Sequence, residues 1–384
     1  MEDLQERGLK MREVVILGAG MHKFGRFPEK SFVDLAEVAI VEALKDAGIQ
    51  WPDVQALYAA NALAGPSTGN NVIQRMGQTG IPAINVEAYC AGGLVACKLA
   101  YQAIATGFCD IAVAVGFEKQ ERGFIPVLGA PWWETRLGLH VMPGDSALDA
   151  QRHMHLYGTT REQLAKIAVK NHRNAALAPY AHLPNASLTV EEVLNSTMIC
   201  EPLTMLMISA PSDGAAALVL CSQDVVRKHP DKKPVTIAAI THNTAKYFDL
   251  EYEINEARRR AAREAYEMAG CGPEDLDFAL LHDATVIFEI RQYEEVGLCQ
   301  EGEGGRLIDE GITELSGRVP VNTDGGFLGR GNAPSADSGS WIAEAVWQLR
   351  GEAGPRQVPD AKIGLICHGG YGVPIHGAAM ILKR

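Results

Sequence analysis

Two stretches decide the fold: "KDAGIQWPDVQALYAANAL" at residues 45–63 and "EMAGCGPEDLDFALLHDAT" at residues 267–285. Each runs from a helix end through Ala-Gly, a turn containing Pro, and an Asp beside an aliphatic residue into a short apolar strand. Each also follows an amphipathic helix, and each half later shows a helix feeding a strand, 91–106 into 110–116 and 338–350 into 362–367. Self-similarity over this distance points to a duplicated α/β unit, two similar halves related by a pseudo-twofold that brings corresponding loops together. Positions near 90, 282, 332 and 367 are then expected to line one site. The boundary falls near residue 230, giving halves 1–230 and 231–384. Residues 118–208 break the pattern with Trp132, Trp133, several His and Met, and the basic amphipathic helix "TTREQLAKIAVKNHRNAAL", which reads as an inserted loop domain.

The rest of the chain agrees with an α/β class. Short Val-, Ile- and Ala-rich runs such as "EVVILGAG", "DIAVAVGFE", "AAALVLC", "VTIAAITHN" and "KIGLICHGG" alternate with helical patterns such as "SFVDLAEVAIVEALKDAG", where Ser31 is an N-cap candidate. With 384 residues, 47% of them hydrophobic, the chain can bury one large core or two medium ones. A formal charge of −12 argues against nucleic acid as a partner. The eight cysteines form no CxxC pair, so no zinc ribbon or disulfide framework is suggested, and reduced thiols fit a cytoplasmic protein. The opening "MEDLQERGLKMREVVILGAG" lacks an apolar signal core, and no uncharged apolar run reaches spanning length, so no membrane insertion is expected. The glycines of "LGAGMHKFG" are not spaced as in a dinucleotide fingerprint, so no redox nucleotide is expected.

Cys90 stands in "VEAYCAGG", where an extended segment turns into an Ala-rich helix. A thiol at a helix start feels unpaired amides and the positive end of the dipole, which favours the nucleophilic thiolate. Ala91, Gly92 and Gly93 are expected to leave room for an acyl group. On local sequence alone the same pattern fits a small core residue, which is how Cys97 and Cys109 read.

Distant motifs separate the two readings. "VEAYCAGGLVACKLAYQAIATGFCDIAVAVGFEKQ" resembles the nucleophile segment of the thiolase superfamily, and "LHDATVIFEIRQYEEVGLCQEGEGGRLIDEGITELSGRVPVNTDGG" resembles the sterol-carrier-protein-type thiolases. "RHMHLYGTTREQLAKIAVKNHRNA" and "APSDGAAALVLC" match that branch in order and spacing, and the resemblance runs from about residue 12 to the end. It implies a duplicated thiolase fold in an α-β-α-β-α layering and an acyl-CoA C-acyltransferase that makes or cleaves a β-ketoacyl-CoA through an acyl-Cys90 intermediate. Coenzyme A or acyl-CoA is then a substrate, with no bound cofactor or metal. His282 is implied as an oxyanion or acid/base histidine, and Gly326, Gly369 and Gly370 as glycines along which substrate approaches.

Departures from the family pattern bear on the chemistry. The Gly-His-Pro whose His activates the nucleophile is Gly331-Asn332-Ala333 here, and the Cys of the family's His-Asp-Cys-Phe is Ala284. "RGNAPSADS" is similar to the segment by which ketoacyl synthase-like relatives supply an Asn to a Cys, His, Asn set. An amide donates to an oxyanion but takes no proton, which leaves His282 as the base. In "LICHGGYGVPIHGAAMIL", Cys367 resembles the second acid/base cysteine of ordinary thiolases, with His368 the alternative and His376 weaker. The altered set suggests a branched, aromatic or ring-bearing acyl group. Two other functions stay open: a retro-aldol lyase on a β-hydroxyacyl-CoA, and a non-catalytic thiolase-fold subunit. The resemblance further implies a homodimer and a small OB-fold, zinc-bearing partner protein. The dimer edge is expected in the N-terminal half, at "DIAVAVGFE".

Overall fold

The structure is a computed structural model, and the description covers residues 11–121, 123, 132–137, 141–246, 256–370 and 376–384. The strands are β1 (Val14–Gly25), β2 (Ala56–Ala60), β3 (Ala83–Val86), β4 (Ile111–Glu118), β5 (Met198–Cys200), β6 (Leu203–Thr204), β7 (Asp213–Ser222), β8 (Val235–Thr244), β9 (Phe278–Leu281), β10 (Ile363–Gly370) and β11 (His376–Lys383). The main helices are α1 (Phe32–Ala47), α2 (Gly92–Ala105), α3 (Met142–Tyr157), α4 (Arg161–Ala175), α5 (Glu256–Ala269), α6 (Val286–Glu295), α7 (Gly326–Arg330) and α8 (Pro334–Arg350).

Nine strands form one sheet in the order β3-β2-β4-β7-β1-β8-β11-β10-β9. In the first half β2 runs parallel to β3 and β4, and β7 is antiparallel to both β4 and β1. The second half repeats this sense for sense. Val321 bridges Ala279 in parallel, β9 is parallel to β10, and β11 is antiparallel to β10 and β8. Within the sheet, the halves meet where Val15 and Ile16 of β1 pair with β8. The two echoing stretches are superimposable in kind. Left-handed Gly48 (φ 70°) and Gly270 (φ 63°) end α1 and α5, and 3-10 turns at Trp51–Asp53 and Pro273–Asp275 lead into β2 and β9. The duplication read from sequence is therefore the architecture.

α1 covers the outer face of the first half and α5 that of the second, while α2 and α8 pack against each other between them. This gives the α-β-α-β-α layering. The glycines of "LGAG" serve it: a side chain at Gly18 would come within 2.7 Å of Ala47 N, so they let α1 lie directly on β1.

One expectation is corrected. β4, the "DIAVAVGFE" strand, is interior, paired on both sides with β2 and β7 and covered by α1 on one face and by α2 and α8 on the other. Its all-apolar sequence reflects burial on both faces, and the edge of that half is β3. Between β4 and β7 lie α3, α4 and the β5–β6 ribbon, with α4 opened by a capping box of Thr160 and Gln163. No helix of the described residues is long and apolar enough to cross a membrane.

Candidate active site

Cys90 sits in a single 3-10 turn, Tyr89–Ala91, between β3 and α2, and is 4% exposed. Tyr89 adopts a left-handed conformation (φ 51°), a strained state for a side-chain-bearing residue that costs on the order of 1–3 kcal/mol and persists only where the surroundings enforce it. The surroundings come from α8. Ser335 Oγ donates to Tyr89 O at 3.1 Å, and Leu94 N donates to Ser338 Oγ at 3.0 Å. Gly92 and Gly93 are consumed by the same contact: a methyl at Gly93 would lie 2.7 Å from Gly339 N and 2.8 Å from Ser335 O. They make room for a helix crossing rather than for the acyl group expected from sequence.

The N-terminal end of α8 carries Asn332, which follows Gly331 (φ 108°) and is 1% exposed. Its backbone is locked. Asn332 N donates to Ala210 O at 3.0 Å, and its carbonyl accepts from Ser212 N at 2.8 Å and from Gln120 Nε2 at 2.7 Å. Its side-chain Nδ2 donates to Ser209 Oγ at 2.9 Å, while Oδ1 is buried without a partner among the described residues. Two buried carboxyls flank this helix start. Asp337 accepts from Ala333 N at 3.0 Å, and Glu118, at the end of β4, accepts from Ala62 N and Leu63 N at 2.9 and 3.0 Å. Burial pushes each of these carboxyls up to about 7. Ala62 packs on Tyr89 and Cys90, so Glu118 fixes a loop that touches the Cys90 turn.

His282 follows β9 and His368 lies near the end of β10, on adjacent parallel strands in which Leu281 is opposite Cys367. Their Nδ1 atoms are 3.4 Å apart. His368 Nδ1 contacts Gly369 O at 2.8 Å; a carbonyl only accepts, so the proton is on Nδ1 and the lone pair on Nε2, which is buried with no partner among the described residues. Phe288 and Phe327 surround His282, and Phe327 and Trp341 surround His368. Burial, then His368 and Arg258, hold His282 well below the ordinary imidazole range, and burial lowers His368 to about 3. Both rings are neutral at pH 7. The strand β10, which carries His368, packs against the Cys90 turn.

Cys367 faces the other way, toward Tyr266, Glu295 and Arg258, and burial pushes its thiol up to about 12. Successive strand residues alternate faces, so His368 and Cys367 cannot both look onto His282. Gly369 lies against the Arg258 guanidinium, which is held by Glu295 at 2.7 and 2.9 Å. Gly370 ends β10, and the 371–375 stretch lies outside the described residues. Gly326 (φ 57°) sits against Asp283, whose carboxylate accepts from Phe327 N at 2.7 Å and Leu328 N at 3.2 Å. The Asn-x-x-Gly-Gly turn thus serves the cap of α7. His376 is paired with His242 at 3.2 Å, in a separate stack.

Four groups were not singled out from sequence as site residues: Ser209, Ser335, Gln120 and Glu118. Ser335 lies in "RGNAPSADS", Glu118 and Gln120 lie in "GFEKQ", and Ser209 falls one residue before "APSDG", but the contacts join segments about 55 to 250 positions apart and leave no local signal.

The two halves match separate family models, "Thiolase, N-terminal domain" over residues 14–224 and "Thiolase C-terminal domain-like" over residues 239–384. The chain belongs to the thiolase family. An acetyl-CoA acetyltransferase of Methanothermobacter thermautotrophicus is 39% identical to this thiolase-family chain, over 92% of it and 95% of the relative. The benzoylsuccinyl-CoA thiolase subunit BbsB of Thauera aromatica is 37% identical, over 90% of this chain and 91% of its own. Among solved structures, one titled "Ltp2-ChsH2(DUF35) aldolase" superimposes with a TM-score of 0.85 and 29% identity, covering 97% of this chain and 98% of that one. The protein is an acyltransferase of the thiolase type that works on CoA-linked substrates.

Proposed function

We propose that this thiolase transfers its acyl group through a thioester on Cys90. The Cys90 sulfur attacks the keto carbonyl of a β-ketoacyl-CoA, the Cα–Cβ bond breaks, and the departing CoA enolate takes a proton. Coenzyme A thiol then attacks the acyl-enzyme and releases a shortened acyl-CoA, and condensation runs the same steps in reverse. His282 is the base and proton carrier, with His368 setting its environment, and the Asn332 amide donates to the oxyanion. The observation that carries the reading is the His282–His368 imidazole pair at the ends of β9 and β10, with β10 packed against the Cys90 turn, since an imidazole there can take a thiol proton and return it. Cys367 has no part in this scheme, because it faces the outer helix layer.

A branched or aromatic acyl group is part of the proposal. It is supported by the relative named for benzoylsuccinyl-CoA and by Ala284, a methyl where the family carries a thiol. A retro-aldol lyase is the second reading, favoured by the structural neighbour titled an aldolase. That title also pairs the neighbour with a DUF35 component, which supports a partner protein here, and β3 is the edge strand that a dimer would use. Incubation with a panel of acetyl-, branched and aromatic acyl-CoA thioesters, followed by intact-protein mass measurement, tests the proposal. An acyl adduct that coenzyme A discharges is expected; CoA product formation from β-hydroxyacyl-CoA with no adduct on any thioester would favour the lyase.

A further inference from the structure

We infer that Ser209 is a positioning residue that sets which end of the Asn332 amide faces the reacting carbonyl. The inference rests on the acyl-transfer reading above and deepens it. With Asn332 Nδ2 donating to Ser209 Oγ at 2.9 Å, the Ser209 hydroxyl hydrogen finds no acceptor among the described residues, and Asn332 Oδ1 is buried without a donor among them. Unpaired buried polar atoms each cost about 1–3 kcal/mol. A half-turn of the amide exchanges its oxygen and nitrogen. Ser209 then donates to Oδ1, and the amide hydrogens occupy the place now held by the orphaned oxygen. In that orientation the groups still unpaired are N–H donors, and an oxyanion formed on the thioester carbonyl satisfies them.

Ser209 is built to hold this relation. Its N–H donates to Ala284 O at 2.9 Å, and Ile208 bridges Thr285, so the loop is stitched to the residues just after His282. On its other side, Asn332 N bonds Ala210 O and Ser212 N bonds Asn332 O, fixing the start of α8. Ser209 is 4% exposed, so no bulk water competes for its hydroxyl. One residue thereby couples the His282 loop to the Asn332 amide.

The experiment is single-turnover acylation of the full chain by acetyl-CoA, or by whichever panel thioester the parent protein accepts, in Ser209→Ala, Asn332→Ala and the double variant. Ser209→Ala keeps the backbone bonds and lowers the maximal acylation rate ~10- to 100-fold, approaching the loss from removing an oxyanion donor, with the half-saturating thioester concentration within about threefold of the parent. The double variant acylates no more slowly than Asn332→Ala, since Ser209 acts only through that amide. Iodoacetamide alkylation of Cys90 at the parent rate in each variant shows that the turn is intact. Ser209→Ala acylating at the parent rate, or single losses that multiply in the double variant, would overturn the inference while leaving the acyl-transfer reading in place. A parent protein that takes an acyl group from no thioester would instead overturn that reading and this inference with it.

Discussion

Replacing Gly93 by alanine should damage catalysis more than stability. In a helix interior alanine is intrinsically better than glycine by about 1 kcal/mol, so the change is favourable until packing is considered. The new methyl meets backbone, Gly339 N at 2.7 Å and Ser335 O at 2.8 Å, where ordinary contact begins near 3.4 Å. Backbone cannot rotate away, so α2 and α8 must part by roughly 0.5–1 Å, and overpacking of this kind costs about 1–3 kcal/mol. The net loss of stability is then about 0–2 kcal/mol. That same displacement moves the Cys90 turn against Ser335 and the Asn332 end of α8, and a shift of about 1 Å between reacting groups can cost ~100-fold in rate. Urea unfolding and single-turnover acylation measure the two losses. Gly144→Ala is the control, because a methyl there meets none of the described residues within 4 Å. A Gly93→Ala protein as stable and as active as the parent would refute the reasoning.

Three other outcomes follow from the site. Asp337, pushed up to about 7, holds a proton that the unfolded chain releases near pH 4, so its contribution is full at low pH and is lost as pH rises through 7. Urea unfolding of Asp337→Asn against the parent should therefore shift toward the variant as pH rises from about 4 to about 7 and level off above that; a difference independent of pH contradicts the assignment. Cys367→Ala should acylate within about threefold of the parent, since its thiol faces Tyr266 and Glu295, and a loss above ~100-fold would return Cys367 to the site. In the Asn332 and His282 series, Asn332→Asp should slow acylation more than Asn332→His, by setting a carboxylate against the oxyanion, and His282→Ala should be slower than either. His282→Ala acylating normally would move the base to His368.

The duplicated sheet was legible because its strands are short, apolar and punctuated, and because Ala-Gly plus a Pro turn recurs before β2 and β9. Which strand forms an edge was not, since an apolar run reports burial of both faces and says nothing about its neighbours; β4 and β3 were confused for that reason. The choice between Cys367 and His368 was equally out of reach. A one-residue uncertainty in register exchanges the two faces of a strand, and the pairing of Cys367 with Leu281 fixes only which face each side chain takes. Gly92 and Gly93 looked like space for a ligand, because small residues look alike whether a substrate or a second helix lies against them. Ser209 was invisible for a different reason: its meaning lies in contacts to Ala284 and Asn332, 75 and 123 positions away.

The central claim is that the acyl group passes through Cys90, and peptide mapping of the protein after brief exposure to acyl-CoA tests it most directly. The account predicts one acyl mass on the peptide that contains Cys90, discharged by added coenzyme A and absent from Cys90→Ala. An acyl group that persists on Cys90→Ala, or that maps to Cys367 in the parent, would contradict it.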